Sequence, residues 1–559
     1  MNRALFRRIA AMTFALVMLA GVVAGCSTKD KSSSGTSQSQ SGSGAQTQQP
    51  KEKVLVVAFP GDIDTFDPAF TVGTRTSQTV IQNTFDQLEQ YALKAVTTPD
   101  SYQYWVVDTS KIQPMLAEKT EVVDGGKAIL FHLRHGVKYS DGKEMTAQDV
   151  VNGYRRIFEA KGISYWLLTM GGVMKPDYFE VVDPYTVKIR MDVPNNLVRM
   201  NNIMHNTSSI RLSDVQAHAT SSDQWATDYF KKNLAPGNGP FILEEYKPGD
   251  RIVLKANPGY WQGKPKFDKV ILKIIPDATQ RLLLLKKGDV DIVEDPPVKE
   301  LDALKQDPNL RVLSVETPRV GYLQMNFSTP PFDNVKVRKA VAYAVPYDNI
   351  VKDVYKGYAL RAMSLIGKGM PGHDPSPWTY NTDLEKAKQM LAEAGFPNGQ
   401  GLPPVKLTVQ VAREEDERAA VYIANNLKAI GLNVTVEKLP YAQFNELQQG
   451  GKLQMWLDYW ISWVNDPFYH LSWIVGSGSP TNYNHYKNAR VDQMIKQWTL
   501  NTDEAGRLGA AKEIQKILAD DVAHVYLVQP TWNVPMRKNI EGYAYLNDEL
   551  LRFWYLDKK

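Results

Sequence analysis

The sequence predicts an α/β protein built from more than one lobe, and three observations support this prediction. A chain of 559 residues is too long for a single hydrophobic core, so two or three lobes are expected. Its hydrophobic content of 43% and charged content of 23% are ordinary for a folded globular protein. Residues 382–438 alternate between helix and strand patterns, which is typical of a parallel α/β sheet.

The first 25 residues have the pattern of a secretory signal. A short basic start is followed by the apolar run Ile9–Val23, which at about fifteen residues is too short to span a membrane comfortably. The segment ends in Val23-Ala24-Gly25-Cys26, which resembles a bacterial lipobox. That resemblance implies cleavage before Cys26 and acylation of this cysteine. Residues 26–52 then predict the lipidated cysteine and a disordered tether at the outer face of the cytoplasmic membrane, or in the periplasm of a Gram-negative host.

Charge and cysteine content exclude several function classes. The formal charge of +4 falls to +1 once the signal, with its three arginines and no acid, is removed. A near-neutral protein does not have the basic surface that nucleic-acid binding requires. A single cysteine allows neither an internal disulfide nor a cysteine-based metal cluster. We expect no cofactor.

The first folded elements are predicted from local patterns. Val54–Phe59 is an apolar run typical of a buried strand. Residues 121–133 predict a hairpin whose turn is Asp124-Gly125-Gly126-Lys127. Thr146, with Asp149 three residues later, predicts a capped helix N-terminus.

The alternating region supplies the α/β pattern. Glycines at positions 395 and 431 are placed to end two helices. The predicted order is helix Thr382–Ala394, strand Val405–Val411, helix Glu415–Ile430 and strand Asn433–Leu439.

Residues Leu453–Trp473 are far richer in aromatic side chains than the rest of the chain. Leu453–Trp463 has strand character, and Asp466 is placed to cap a helix that begins at Pro467 and ends by Gly476. Aromatic side chains beside a helix start suit a ligand pocket. The alternative is an ordinary aromatic core.

Residues 116–157 read LAEKTEVVDGGKAILFHLRHGVKYSDGKEMTAQDVVNGYRRI, and this block resembles the signature of the family 5 extracellular solute-binding proteins. Two further blocks, Gly237–Asp291 and Tyr322–Val345, match the same family in the same order. The core of the signature is present as Leu133-Arg134, Gly136-Val137, Asp141-Gly142 and Thr146-Ala147-Gln148-Asp149-Val150. Members of this family are the oligopeptide, dipeptide and nickel receptors of ABC importers.

The resemblance implies a type II, cluster C periplasmic-binding fold, with two α/β lobes around a cleft and an extra subdomain on the first lobe. It places the two crossings between lobes near Thr317–Val320 and Val528–Pro530. The implied domains are residues 53–80, 201–317 and 529–559 for lobe I, 81–200 for the extra subdomain, and 318–528 for lobe II.

The resemblance also implies that Leu453–Pro467 lines the cleft and pairs through its backbone with an extended peptide. In the family an aspartate four residues before the proline holds the peptide ammonium, but here that position is Trp463. Asp458 lies on the opposite face of a regular strand, so a simple exchange of roles is doubtful. The candidate ligand-binding residues are Val72, Thr74, Asn326, Tyr459, Trp460, Ile461, Trp463 and Asp466, with Asp466 as an alternative contact for the amine.

Two ligand classes stay open. A peptide is the first expectation, and an oligosaccharide stacked on Trp460 and Trp463 is the second. A receptor for a secreted signalling peptide would use the same fold. Nickel is not expected, because His132 and His135 show no metal-ligand spacing. The sequence contains no nucleophile elbow or His-Glu-x-x-His motif, so an enzyme is disfavoured. The expected partners are the ligand, the permease subunits of an importer and the membrane through the lipid anchor, with the protein itself a monomer.

Overall fold

The computed structural model describes residues 52–71, 73–411, 413–461 and 463–559. The predicted signal, Cys26, the tether and the candidate residue Val72 lie outside the described residues. Residues Glu52–Lys559 form one structural unit. Among the described residues, no helix combines the length and the apolar character needed to cross a bilayer.

The strands of the described residues are spread over the whole chain. In chain order they are β1 (Val54–Phe59), β2 (Glu89–Thr97), β3 (Gln103–Pro114), β4 (Ala117–Val123), β5 (Ala128–Leu133), β6 (Phe179–Asp183), β7 (Thr186–Arg190), β8 (Phe241–Lys247), β9 (Arg251–Ala256), β10 (Lys269–Ile274), β11 (Ile292–Val293), β12 (Leu310–Glu316), β13 (Val320–Met325), β14 (Ala359–Arg361), β15 (Val405–Gln410), β16 (Val434–Leu439), β17 (Met455–Trp460), β18 (Val525–Arg537), β19 (Ile540–Glu541), β20 (Ala544–Tyr545) and β21 (Asp557–Lys558).

Most helices lie between these strands. In chain order they are α1 (Arg75–Thr84), α2 (Ala147–Ala160), α3 (Ile163–Met170), α4 (Leu197–Asn201), α5 (Leu212–His218), α6 (Thr227–Phe230), α7 (Ala278–Lys287), α8 (Leu301–Lys305), α9 (Val335–Ala344), α10 (Tyr347–Asn349), α11 (Leu384–Glu393), α12 (Glu414–Ala429), α13 (Tyr441–Gln449), α14 (Pro467–Ile474), α15 (Ala489–Trp498) and α16 (Glu504–Asp521).

One large sheet joins two halves of the molecule through the long strand β18. The strand order is β16-β15-β17-β13-β18-β11-β1-β10-β9-β8, and β12 and β14 also pair with β18. One hydrophobic cluster packs on the β13, β15, β16 and β17 half. A second packs on the half that contains β1, β9, β10 and β12. Two separate cores on one shared strand give the two-lobed α/β architecture that the sequence predicts.

The chain changes halves where β18 changes its pairing partners. Thr531–Arg537 of β18 pairs with β12, and Val525–Val528 pairs with β13. The predicted crossings, Thr317–Val320 and Val528–Pro530, fall at this change. The exact lobe boundaries stay a prediction.

Local patterns predicted several elements correctly. The strand Val54–Phe59 has the predicted bounds, and β4 and β5 form the predicted hairpin. Thr146 and Asp149 form the capping box that starts α2. The pairing of β15 with β16 is parallel, as the helix–strand alternation predicts.

Several predicted boundaries differ from the observed ones by one to three residues. The helix predicted from Thr382 begins at Leu384, because the side chain of Asp383 accepts the Lys386 N–H at 2.9 Å and caps it. The strand predicted to reach Trp463 ends at Trp460. After Trp460 the backbone leaves the sheet before Asp466 starts α14.

The crossing between the halves depends on the buried side chain of Gln529, so replacing it should destabilise the protein. Its Nε2 donates to the carbonyls of Thr317 at 2.6 Å and Lys368 at 3.0 Å, and its Oε1 accepts the Lys368 N–H at 2.8 Å. Gln529→Ala leaves these buried backbone groups without partners, so we expect a loss of about 2 kcal/mol or more. Chemical denaturation measures the loss.

Gln389→Ala is the matched control, because Gln389 makes an exposed contact to Glu393. It should change the free energy of unfolding by less than about 0.5 kcal/mol. Equal effects of the two substitutions would contradict the assigned role of Gln529.

Candidate functional site

The backbone of β17 is paired on only one side along its second half. All six residues of β17 pair with β13, but only Met455 and Trp456 pair with β15. The last residues of β15 stay with β16 instead. Among the described residues, no strand pairs with this edge of residues 457–460. The Tyr459 N–H donates instead to the carboxylate of its neighbour Asp458, at 2.8 Å.

This open edge lies where α/β proteins place their ligands. β15, β16 and β17 run parallel, and residues 457–460 are at the carboxyl end of β17. Ligands of open α/β sheets bind in crevices outside such ends. A cavity of about 690 Å³ lies beside Asp458 and Tyr459, within the range of about 300–1,000 Å³ typical of small-molecule sites. Both halves of the molecule line this cavity.

Tyr459 is held between two guanidinium groups. The Arg319 guanidinium lies 3.7 Å from the centre of its ring and the Arg413 guanidinium 4.6 Å from it. Arg413 also donates from Nη2 to the Tyr459 hydroxyl at 2.9 Å. Cations over an aromatic face are attracted by the ring quadrupole. The cavity wall formed by Tyr459 is therefore fixed by the crossing segment on one side and by the start of α12 on the other.

A buried ion cluster holds the crossing segment in place. Glu549 accepts from Arg75 at 3.4 Å and forms an ion pair with Arg319 at 3.5 Å, and Arg75 also pairs with Glu294 at 3.4 Å. Burial raises the pKa of Glu294 to about 7, although Arg75 acts against this shift. The cluster joins α1, the crossing segment and the C-terminal part of the chain.

The cavity also contains carboxyl groups that burial makes harder to ionise. Glu415 accepts the Val298 N–H at 2.8 Å, and burial raises its pKa to about 7. Asp458 accepts from Gln448 at 2.7 Å and from Gln324 at 3.3 Å. Burial raises the pKa of Asp458 as well, with Arg413 opposing the shift. Among the described residues, neither Glu415 nor Asp458 forms an ion pair.

The two candidate tryptophans face different surroundings. Trp460 is half-buried and packs against Tyr469 and Trp473 of α14, with ring centres 5.9 and 6.0 Å away. Trp463 meets His205 from the other half of the molecule, with ring centres 5.4 Å apart. It lines a separate cavity of about 60 Å³. Trp460 therefore packs on the core of its own half, whereas Trp463 contacts the other half.

Asp466 and Asn326 both make structural contacts within their own half of the molecule. Arg507 donates to both carboxylate oxygens of Asp466 at 2.8 and 2.7 Å, and the Phe468 N–H donates to it at 2.8 Å. Asp466 therefore caps α14 and is paired with a cation. Asn326 is 1% exposed and donates to backbone carbonyls of Gly451 and Leu453. The ligand contacts of both residues stay a prediction.

Thr74 and Ile461 make local contacts. Thr74 caps α1 and donates from its hydroxyl to Asp64 at 3.0 Å. It immediately precedes Arg75 of the buried ion cluster. The Ile461 carbonyl accepts the Trp463 N–H at 3.1 Å, which shapes the turn after β17. Their ligand contacts stay a prediction.

The described residues contain no group of three or more His, Cys, Asp or Glu side chains arranged to hold a metal ion. His132 lies 3.4 Å from Glu121, and the ring of His135 packs on that of Tyr185. Both histidines thus have structural neighbours.

Sequence reasoning missed Arg319, Arg413 and Glu549. One signal was available for Arg413, because it follows the carboxyl end of a parallel strand, the usual place for ligand contacts. Glu549 comes together with Arg319 only through the fold, since 230 residues of sequence separate them.

The chain is similar to a known protein family over most of its length. The model of the bacterial extracellular solute-binding proteins, family 5 Middle, matches residues 111–482. The chain is 28% identical to the probable D,D-dipeptide-binding periplasmic protein of Escherichia coli over 502 residues, covering 89% of this chain and 92% of the relative. It is 29% identical to a dipeptide-binding protein of the same organism, covering 88% of this chain and 92% of the relative.

A solved structure has the same fold. It is an ABC transporter-associated periplasmic binding protein from Helicobacter pylori in complex with the peptide STSA, with a TM-score of 0.78 and 25% identity. The superposition covers 91% of this chain and 98% of the other.

The raised pKa of Glu415 gives a testable dependence of stability on pH. Because its pKa is about 7 in the folded state, the ionised carboxylate costs stability above that pH. The cost is lost as the pH falls through about 7 towards the ordinary value. Asp295 and Asp416, which carry the same charge, add to it. Glu415→Gln keeps an acceptor for Val298 and should stabilise the ligand-free protein most near pH 8 and least near pH 4.

Urea denaturation at a series of pH values measures this difference. Glu385→Gln is the control, because the Glu385 side chain is 85% exposed. Its effect should stay within about 0.5 kcal/mol at each pH. A Glu415→Gln effect that does not change with pH would contradict the assignment.

Proposed function

Because the chain belongs to the family 5 bacterial extracellular solute-binding proteins, we propose that it captures peptides between its two lobes outside the cytoplasm and delivers them to the permease of an ABC importer. The bound peptide is released unchanged, so the protein acts as a binding component and not as an enzyme. The expected binding unit is a monomer.

The open edge of β17 is the observation that carries this proposal. Within the part of the chain that the structure describes, residues 457–460 have one backbone edge without a strand partner, and Asp458 and Tyr459 line a cavity of about 690 Å³. An extended peptide can add to such an edge through main-chain hydrogen bonds, which do not depend on the peptide's side chains. Tyr459, Trp460 and Ile461 are the residues that would supply these bonds.

The relatives support a peptide ligand. Two Escherichia coli proteins similar to this chain along most of their length are named for dipeptides. The Helicobacter pylori structure with the same fold holds a peptide. These ligands belong to those proteins, and the open edge of β17 is what extends the inference to this chain.

Contacts across the cleft support capture by lobe closure. Lys299 pairs with Glu414 at 2.9 Å, next to the Val298–Glu415 hydrogen bond. Both contacts join the segment before α8 to the start of α12. Opening the cleft would break them and expose the cavity, while rotation would be concentrated at the two crossings. Closing would remove ligand and cavity from water together.

Binding of a short peptide through its backbone is the first test. Tri-alanine at 100 times its dissociation constant should stabilise the protein by about 2.7 kcal/mol, seen as a thermal shift. A tri-alanine whose amide nitrogens carry methyl groups has the same side chains without the N–H donors. It should bind at least about tenfold more weakly in calorimetry.

Two results would overturn the proposal. Equal affinity for the methylated and unmethylated peptides would show that the β17 edge does not pair with the ligand. If no peptide of two to eight residues shifts the melting temperature and oligosaccharides do, the ligand is a sugar and not a peptide.

The lipid anchor is a separate part of the proposal. We expect Cys26 to be acylated after cleavage, which holds the protein at the outer face of the membrane. Cys26→Ser in the full-length chain should move the protein from the membrane fraction to the soluble extracytoplasmic fraction. Radiolabelled palmitate should enter the native chain and not the variant. Membrane association that survives the substitution would contradict this role.

A further inference from the structure

We propose that the cavity of about 60 Å³ beneath Trp463 is a subsite for an ammonium group of the ligand, formed by Asp86, Gln82 and His205. This inference rests on the proposed function and specifies how that site recognises charge. The subsite is completed only when Trp463 of one half meets His205 of the other.

His205 is the first indication of a missing partner. Its side chain is 0% exposed, lines the cavity, and neither ring nitrogen has a hydrogen-bond partner among the described residues. Buried polar groups in folded proteins nearly always have partners. Burial lowers the pKa of His205 to about 4. At neutral pH the ring is therefore uncharged and offers one nitrogen as an acceptor.

Asp86 supplies the negative charge. It is 5% exposed, lines the same cavity, and accepts the Trp261 indole N–H at 2.8 Å. Among the described residues it has no ion pair. The other charged side chains of the cavity, Asp548 and Arg552, pair with each other. Burial raises the pKa of Asp86 to about 7, with the hydrogen bonds from Trp261 and Tyr260 acting against the shift. A bound ammonium group would keep this carboxyl group ionised.

Gln82 adds a third acceptor. Its Oε1 is buried and has no hydrogen-bond partner in the described part of the chain, while its Nε2 donates to Gln87 at 3.2 Å. The cavity thus combines a carboxylate, an amide oxygen and a ring nitrogen, all able to accept. An ammonium group has three N–H donors and no acceptor, which matches this set.

The volume of the cavity and the aromatic ring in its wall both suit a small cation. A cavity of about 60 Å³ has room for a compact group and excludes a large ring. The indole of Trp463 forms part of its wall, and indole is the aromatic group that attracts cations best. Trp463 would thus complete the ammonium site without carrying a charge itself.

The test compares ligands that differ by one ammonium group. Tri-alanine and N-acetyl-tri-alanine differ in the terminal ammonium, and N-acetyl-Ala-Lys-Ala and N-acetyl-Ala-Gln-Ala differ in a side-chain ammonium. Calorimetry should show at least about a tenfold preference for the ammonium in one of these pairs. The pair that shows it identifies the source of the group.

Two variants and a control assign the preference to the cavity. Asp86→Asn keeps an oxygen for Trp261 but removes the charge, and Gln82→Met removes the amide acceptor. Asp86→Asn should reduce the preference to less than about twofold and Gln82→Met should weaken it. Asp228→Asn is the control, since the Asp228 side chain is 83% exposed, and it should keep the full preference. Circular dichroism and thermal melting confirm that each variant is folded.

The outcomes separate this inference from the proposed function. If peptides bind but the ammonium preference is absent, or persists unchanged in Asp86→Asn and Gln82→Met, the subsite is overturned and peptide capture stands. If no peptide binds, peptide capture fails, and spermidine becomes the probe in a thermal-shift assay. Stabilisation by spermidine that Asp86→Asn abolishes would still support the subsite, and its absence would overturn it.

Discussion

β17 loses its neighbour on one side before it ends, and the rest of the site depends on this feature. β13 accompanies it to Trp460, whereas β15 stops pairing after Trp456 and stays with β16. Backbone donors and acceptors inside a protein need partners, and an unpaired edge is a ready template for another chain. In the free protein the Tyr459 N–H donates to the Asp458 carboxylate. A bound peptide could offer this N–H a backbone carbonyl as acceptor instead.

Charge and aromatic contacts keep this edge in place. Arg319 and Arg413 hold the Tyr459 ring from two sides, and Glu549 connects Arg319 to the other half of the molecule. Arg319 lies in the segment between β12 and β13, and Arg413 immediately precedes α12. Lys299–Glu414 also joins the segment before α8 to the start of α12.

The sequence predicted what depends on near neighbours. β1, the hairpin of β4 and β5, the capping box of α2 and the start of α14 at Pro467 all follow from periodicity, turns and caps. The resemblance placed the binding segment at the end of β17. Each of these features is encoded within about a dozen residues.

Features that depend on distant contacts were not predictable from one sequence. Asp466 pairs with Arg507, which lies 41 residues later in the chain, so the sequence near Asp466 gives no signal of this contact. Asn326 donates its side-chain N–H groups to backbone carbonyls of the loop before β17, and no local sequence pattern predicts these hydrogen bonds. His205 and Asp86 had no motif, since Trp463 joins their cavity from a distant part of the chain.

Amide hydrogen exchange of residues 457–460, with and without saturating tri-alanine, tests the central claim most directly. The account predicts that the Tyr459 amide, which donates to Asp458 in the free protein, exchanges at least about tenfold more slowly in the complex. The amides of this stretch and of β13 that already pair between the two strands should change little. Unchanged exchange of the Tyr459 amide in a protein that calorimetry shows to be saturated would contradict it, because the peptide would then be held without pairing to β17.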